Sequence, residues 1–465
     1  MRKLNEECAV FGVCLTSAEA VGVTYNGLLA LQHRGQESAG IATVHDCKIT
    51  CYKNNGLVSE VFSEDKLESL PKGKIAIGHC RYSTTGGNVR KNAGPFLSEY
   101  LTGRIATAHN GNISNAPQLR DELKRNGLQF YATSDSEVVA SLFAYYILKE
   151  RDTLSGIKKA VKRLTGAYCL VIATGENSLI AVRDPTGFRP LCIGRGTDGY
   201  AVASESCALE VCGFEFVRDV LPGEIIVLKN GELTRHGSMF EGKEENRGLC
   251  IFEYVYFARS DSKIDGLSVF EARYNMGLIL AEEYPVDADI VCGVPDSGMD
   301  AASGYSAKSG LPLAAGFVKN RYIGRSFIYP TQSRRDSAVR QKLNPLAVNI
   351  RDKKVVLVDD SIVRGTTSEK IVRTLKNAGA KEVHMRISSP PFLHVCHYGT
   401  DIDSEENLVA NQMSLDDIRR KIGADSLGFI SIDGLKDACG KCLLGFCTEC
   451  FTGEASTRAK KDVFE

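Results

Sequence analysis

The chain holds 465 residues, room for two or three domains of about 100–200 residues each, and two large domains are expected. Lys plus Arg and Asp plus Glu both number 57, so the formal net charge is zero and no whole-chain field draws nucleic acid or an anionic membrane; any anion site is local. No apolar h-region follows Met1 and no run of about 18 apolar residues occurs, so neither a secretory signal nor a helical membrane span is supported, and a cytoplasmic protein is expected.

Up to about residue 235 the chain reads as short apolar strands broken by Gly and Asn: IAIGHCRYS (75–83), RIATAHNGNIS (104–114), AYCLVIAT (167–174), LIAVRD (179–184) and YAVASE (200–205). NAPQLRDELKRNG (115–127) and DSEVVASLFAYYILKE (135–150) carry apolar residues at helical spacing. HGSMFEGKEENRG (236–248) is polar and Gly-rich and reads as a linker. Beyond it, DADIVCGVPDSG (287–298), LPLAAGFVK (311–319), KKVVLVDDS (353–361) and EVHMRISSP (382–390) are strands interleaved with helices FEARYNMGLILAEEY (270–284) and TSEKIVRTLKNAG (367–379). That βαβ alternation predicts a parallel sheet, so the fold class is α/β with a layered domain over 8–240 and a second domain over 241–465. GRGTDG (194–199) fits G-x-G-x-x-G but leads into strand-like YAVAS rather than a helix, so it predicts a hairpin turn and no dinucleotide site.

The most specific stretch is KKVVLVDDSIVRGTTSEKIVRTLKNAGA. An apolar strand delivers Asp359 and Asp360 at its carboxyl end, and Gly365, Thr366, Thr367 and Ser368 open a helix whose free N–H groups and hydroxyls suit a phosphate. The paired aspartates face ribose hydroxyls or a hard Mg²⁺ ion. An ordinary capped strand-to-helix turn is the bland alternative. Arg321, Arg325, Arg334, Arg335, Arg340 and Lys342 crowd one segment short of apolar residues, either a solvated loop or a basic cover over a leaving group. Ser297, in CGVPDSG, ends another strand where it can reach metal or phosphate, or it sits in a plain turn.

In the first half, GHCRYSTTGG (78–87) supplies Arg81, AHNGNIS (108–114) supplies Asn110 and Gly111, and YATSDSE (131–137) supplies Asp135 just before a helix. Together these suit a free amino acid: a guanidinium for the α-carboxylate, a carboxylate for the α-ammonium, and an Asn amide with a Gly N–H as oxyanion hole. The missing nucleophile is found in LNEECAVFGV as Cys8. A terminal thiol needs no histidine, because its own α-amino group, of reference pKa about 7.7–8.0, can act as base. Cys8 plays this part only if Met1–Glu7 is removed as a propeptide.

Two resemblances follow from these residues. The Asp359–Ser368 stretch resembles the phosphoribosyl pyrophosphate signature of type I phosphoribosyltransferases, which implies binding by Asp359, Asp360, Arg364 and Gly365 to Ser368, with Arg325 and Lys342 over the pyrophosphate and Mg²⁺ on Asp359, Asp360 and Ser297. CAVFGV, LQHRGQESAGIA (31–42), HCRYSTTG, HNGNISN and TSDSE resemble, in order, the class II (N-terminal-nucleophile) glutamine amidotransferases. That implies an αββα sandwich in which Cys8 forms a thioester, Asn110 and Gly111 hold the oxyanion, Arg81 and Asp135 hold glutamine, and Arg34 with its neighbouring loop closes the pocket. ASESCAL (203–209) follows the same pattern and reads as structural.

CIFEYVYFARSDSKIDG (250–266), VKNRYIGRSF (318–327) and CTECFTG (447–453) extend the likeness, so the whole chain resembles the glutamine-dependent phosphoribosyl pyrophosphate amidotransferases. The resemblance implies release of ammonia from glutamine, its transfer inside the protein to phosphoribosyl pyrophosphate, formation of 5-phosphoribosylamine at the first committed step of purine synthesis, feedback by purine nucleotides, and a homotetramer or homodimer. Two positions depart from the family: Ala9, where relatives often carry Gly, and Ser260, where they often carry Pro. A different class II amidotransferase would need a sugar isomerase domain in place of VVLVDDSIVRGTTS, and a non-catalytic regulator would be expected to add a nucleic-acid-binding domain.

Sixteen cysteines in a reducing compartment are not a disulfide framework. The resemblance implies a [4Fe–4S] cluster on Cys250, Cys396, Cys447 and Cys450. The tail CGKCLLGFCTEC leaves alternatives open: Cys439 or Cys442 can replace a tail ligand, and the four tail cysteines can form a zinc knuckle. Cys14, Cys47, Cys51, Cys80, Cys169, Cys192, Cys207, Cys212 and Cys292 read as buried apolar residues.

Overall fold

AVFGVCL lacks polar alternation because both of its faces are covered. In this strand (β1, Ala9–Leu15), Ala9, Phe11, Val13 and Leu15 enter one core and Val10 and Cys14 enter another. The computed structural model describes residues 8–16, 20–82, 89–101, 103–238, 248–320, 343–400, 404–440 and 445–454.

The first half continues as β2 (Ser38–His45), β3 (Lys48–Asn55), β4 (Ile75–Arg81), β5 (Phe96–Tyr100), β6 (Gly103–Ile113), β7 (Gly166–Thr174), β8 (Ser178–Arg183), β9 (Cys192–Gly196), β10 (Gly199–Ala203), β11 (Glu215–Asp219), β12 (Glu224–Lys229) and β13 (Glu232–Ser238). They form a seven-stranded sheet, β11-β9-β10-β1-β4-β2-β3, and a six-stranded sheet, β13-β12-β8-β7-β6-β5. Val10, Ile77, Ala106, Val171 and Val202 fill the space between the sheets, while Gly12 allows close approach, since a Cβ there would stand 2.6 Å from Val171. Helix Ala20–Ala30 covers the outer face of the first sheet, and helices Ala116–Arg125, Asp135–Glu150 and Thr153–Val161 cover that of the second. This is the expected αββα sandwich. GRGTDG is the β9–β10 hairpin, with Gly196 paired to Gly199.

The second half is built on a parallel sheet of Ile290–Gly293, Lys354–Asp359, Glu382–Ile387 and Ser426–Phe429. Helices Val269–Glu283 and Met299–Ser309 pack on one face, Thr366–Asn377 and Leu415–Ile422 on the other. LPLAAGFVK does not join this sheet as a strand. Leu313 makes one isolated bridge to Val291, and Phe317–Lys319 pairs instead with Leu343–Pro345; Pro312 lacks the N–H that a longer ladder needs. Cys47 also departs from expectation, being exposed: Asp46 (φ 47°) and Cys47 (φ 59°) form the two-residue turn between β2 and β3, which turns their side chains outward. Cys51 and Cys212 are half-buried, whereas the other cysteines read as apolar core residues are buried.

Charged side chains join the halves. Arg34, with no exposed side-chain surface, bonds Glu205 at 2.6 Å and donates to both oxygens of Glu253 at 2.7 and 2.9 Å. Glu205 also pairs with His33 at 2.7 Å and accepts from Ser262 Oγ at 2.7 Å and Arg259 N at 2.9 Å. Those bonds hold its carboxyl well below the ordinary range although burial alone would raise it. Arg189 reaches Glu253 at 3.4 Å and donates to the Tyr398 carbonyl at 2.8 Å, while Phe188 stacks on Tyr398 at 4.1 Å between ring centres. A second junction has Arg183 bidentate to Asp265 at 2.8 Å, close to Asp219.

Removing one member of a buried pair strands the other charge. Glu253→Ala is expected to lower stability by about 3–5 kcal/mol in urea unfolding; an unchanged midpoint contradicts this. At the second junction, burial and then repulsion from Asp265 push Asp219 up to about 7, against the pull of Arg183. A raised carboxyl pKa means that the folded chain holds a proton that the unfolded chain has released above about 4. This contribution is therefore complete below about pH 4 and lost as pH rises through about 7. Urea titrations of wild type and Asp219→Asn between these limits should show a weaker fall of stability with pH in the variant, and identical slopes contradict the assignment.

Candidate active site

Cys8 lies just before β1, and the β1–β4 register, with Ala9 opposite Cys80, brings it beside the end of β4. Its thiol donates to the Tyr82 carbonyl at 3.4 Å, and Arg81, buried, is the last residue of β4. The sheets are tied at this end by His79, whose Nε2 donates to the His109 carbonyl at 2.8 Å; burial pushes His79 down to about 3, so it is neutral. Asn110 follows His109 on β6 and is fully buried, yet among the described residues neither Oδ1 nor Nδ2 has a partner. An unpaired buried amide is unfavourable by about 1–3 kcal/mol, and such groups persist where a ligand completes them.

Gly111 has φ 138°, and a Cβ there would lie 2.0 Å from the Ala167 carbonyl, so only glycine fits. Asp135 opens helix Asp135–Glu150; its Oδ2 accepts from Ile113 N at 3.0 Å and its Oδ1 from Ser134 Oγ at 3.3 Å and Ser136 Oγ at 3.4 Å. Three of the carboxylate's four acceptor directions are thus used, and one is left for an incoming cation.

Cys8, Arg81, Asn110, Gly111 and Asp135 therefore gather at one end of the sandwich. Arg34 stands beside this group and also spans the two halves. Its guanidinium bonds Glu205 and Glu253, and its Nε donates to the Cys8 carbonyl at 3.4 Å. That bond ties Arg34 to the Cys8 backbone. The sequence reading missed Glu253, His79 and His109; an isolated acid inside apolar FEYVYF was the one available signal, because a buried carboxylate requires a cation. Met1–Glu7 lies outside the described residues.

In the second half, Asp359 and Asp360 end their strand at the carboxyl edge of the parallel sheet, where open α/β sheets bind ligands. Both are buried, and the Asp359 carboxylate accepts from Asp360 N at 3.0 Å. Asp360 accepts from the hydroxyls of Ser297 and Ser361, so Ser297 stands beside the acidic pair as expected. Gly365 has φ 78°, and a Cβ there would make only ordinary contacts with Ile422 and Val409, at 3.7 and 3.8 Å; its backbone angle is what requires glycine. Helix Thr366–Asn377 begins immediately after it, and a pocket is lined by Tyr256, Asp359, Asp360, Arg364 and Gly365 to Ser368. Ser260 bonds Asp300 and accepts from Arg273 Nη1 at 3.2 Å, a role that proline cannot fill. Arg325 and Lys342 lie outside the described residues.

Cys250 and Cys447 are register partners in a short parallel pairing of Leu249–Cys250 with Phe446–Cys447. Leu393 N and His394 N donate to the Cys450 carbonyl at 3.0 and 3.1 Å, which places the Cys396 loop beside the tail. The Cys450 thiol is pushed up by burial and then by Cys396, Cys250 and Cys447; Cys447 is pushed up to about 12 by burial, with a contribution from Cys396. Thus Cys250, Cys396 and Cys447 stand near enough to Cys450 to act on its thiol. Among the described residues no group of three or more His, Cys, Asp or Glu has metal-binding geometry, and Cys442 lies outside them. No described helix is long and apolar enough to cross a membrane.

Residues 79–211 match the glutamine amidotransferase domain family and residues 271–388 the phosphoribosyl transferase domain family. The amidophosphoribosyltransferase of Archaeoglobus fulgidus is 48% identical over 96% of this chain and 97% of its own length. That of Methanocaldococcus jannaschii is 48% identical over 97% and 98%, and that of Bacillus subtilis 46% over 99% and 96%. The solved glutamine phosphoribosylpyrophosphate amidotransferase from B. subtilis, complexed with ADP and GMP, superposes with a TM-score of 0.87 at 45% identity, covering 96% of this chain and 97% of that one. With both domain families in order and full-length relatives of this identity, the chain belongs to the amidophosphoribosyltransferase family of glutamine-dependent enzymes of purine biosynthesis.

Proposed function

We propose that residues 8–240 release ammonia from glutamine and that residues 241–465 use it to make 5-phosphoribosylamine, after cleavage of the Glu7–Cys8 bond exposes Cys8 as the terminal nucleophile. The observation that carries this reading is the buried, unpartnered Asn110 amide beside Cys8, Arg81 and Asp135 on the chain that also bears the Asp359–Ser368 loop.

Arg81 pairs with the α-carboxylate of glutamine and Asp135 takes its α-ammonium. The Cys8 α-amine removes the thiol proton, sulfur attacks the amide carbon, and the oxyanion is held by Asn110 Nδ2 and the Gly111 N–H. Collapse breaks the C–N bond and ammonia leaves with the proton; water then hydrolyses the thioester to glutamate and restores the thiol. The ammonia travels inside the protein to carbon 1 of phosphoribosyl pyrophosphate, where the C–N bond forms as the bond to pyrophosphate breaks. Gly365 to Ser368 cradle the 5-phosphate at the helix start, and Arg364, Arg325 and Lys342 offset the charge of the leaving group.

Asp359 and Asp360, steadied by Ser297, form the donor set that a hard cation takes from a protein when substrate phosphates complete its shell, and Mg²⁺ bound there would neutralise pyrophosphate. Cys250, Cys396, Cys447 and Cys450 would hold a [4Fe–4S] cluster, an all-thiolate donor set whose mutual repulsion such a group relieves. Purine nucleotides are read as feedback ligands, a homotetramer or homodimer as the assembly and the cytoplasm as the compartment; the B. subtilis relative was solved with ADP and GMP.

Cys8→Ala should abolish glutamine-dependent turnover and spare turnover with added ammonium; retention of both activities would remove Cys8 from the mechanism. The purified chain should carry about four iron atoms, lost on Cys396→Ser and kept on Cys439→Ser; zinc in place of iron, or the reverse pattern of loss, contradicts the ligand set.

A further inference from the structure

His109 joins the two halves of the glutamine site, and no step above uses it. Its backbone stands one residue before Asn110 on β6, and its Nδ1 lies 3.1 Å from Ser136 Oγ. Ser136 Oγ in turn lies 3.4 Å from Asp135 Oδ1, and His109 Nδ1 lies 3.9 Å from Asp135 Oδ2. A serine hydroxyl has one proton. With that proton given to the Asp135 carboxylate, the Ser136 oxygen must accept, and His109 must carry its hydrogen on Nδ1.

His109 Nε2 is buried with no hydrogen-bond partner in good geometry among the described residues, and the Ala167 backbone nearby also acts on the ring. Burial holds the imidazole below the usual histidine range even though Asp135 and the Ala167 backbone pull it up. His79 supports it from behind, donating from Nε2 to the His109 carbonyl at 2.8 Å, and is itself neutral. The result is a directed chain, His109 Nδ1–H to Ser136 O–H to Asp135 Oδ1, running from the strand of the oxyanion donors to the carboxylate on the facing helix.

We infer that His109 is a positioning residue for glutamine: as a neutral Nδ1–H donor acting through Ser136, it fixes the Asp135 carboxylate relative to Asn110 and Gly111. This rests on the reading of Asp135 as the α-ammonium partner. A positioning role predicts a loss of glutamine binding, with little effect on the chemistry of bound glutamine or on the ammonia reaction in the other half.

The test is steady-state kinetics on the full chain with glutamine and, separately, with ammonium. His109→Leu is expected to raise KM for glutamine about ten-fold with kcat within about two-fold. Ser136→Ala, a smaller change, should raise KM in the same direction. His109→Asn places an amide N–H near the Nδ1 position and should return KM to within about three-fold of wild type. Ammonium-dependent turnover should be unaltered in all three.

Wild-type KM in both His109→Leu and Ser136→Ala overturns the inference, as does equal impairment of His109→Leu and His109→Asn, which would mean that only the volume of the side chain matters. If His109→Leu also loses the ammonium reaction, Ser136→Ala decides. Asp135→Asn separates the two levels. An unchanged KM there removes the glutamine-site reading itself, whereas a raised KM there with unchanged values in the others removes only the relay.

Discussion

The two halves of this enzyme depend on one buried arginine. Arg34 bridges Glu205 from its own half and Glu253 from the other, with all three side chains withdrawn from water, and its remaining N–H reaches the carbonyl of Cys8. Burying three charges is strongly unfavourable unless each is satisfied, and here the bonds are bidentate and supplemented by His33, Ser262 and Arg189. The same guanidinium that fastens the halves fixes the backbone of the proposed nucleophile. Glu253 starts the helical turn Glu253–Phe257, which also carries Tyr256 into the phosphate pocket. The proposed glutamine site and the pocket of Asp359 to Ser368 are thereby built onto one junction.

The second organising constraint is the covering of both sheet faces in the first half. With helices outside and a second sheet inside, residues such as Val10 and Phe11 are equally buried, and an unpaired polar side chain there is unfavourable. Asn110 stands out because both polar atoms of its buried amide lack a partner among the described residues, whereas Thr107 and His109 on the same strand each leave one atom unpaired. In the second half the equivalent device is the strand edge, where Asp359 and Asp360 leave the apolar run Val355–Val358 at the point where the Thr366 helix presents its free N–H groups.

Local chemistry was legible in the sequence wherever neighbours in the chain are neighbours in space. Asp359 to Ser368 form one strand, turn and helix, so their spacing alone brought together the residues that line one pocket, and GRGTDG was separable as a hairpin by the strand that follows it. Asn110 and Asp135 were legible as side-chain types whose convergence the fold then supplied. What could not be read is pairing at a distance. Arg34 and Glu253 are 219 positions apart, and nothing in LQHRGQ says that its arginine is held by a buried acid. LPLAAGFVK has the composition of a sheet strand, yet a proline and a short approach reduce it to a single bridge. The tautomer of His109 likewise follows only from the geometry around it.

The central claim is that the two sites act as one enzyme, with nitrogen passed between them inside the protein. The most direct measurement supplies glutamine labelled with ¹⁵N at the amide, phosphoribosyl pyrophosphate and an excess of unlabelled ammonium, and reads the isotope in the phosphoribosylamine nitrogen by mass spectrometry. Under conditions where glutamine-dependent turnover dominates, the account predicts product nitrogen that carries the glutamine label undiluted. A label diluted to the composition of the bulk ammonium pool would mean that ammonia leaves the protein between the sites, and would contradict it.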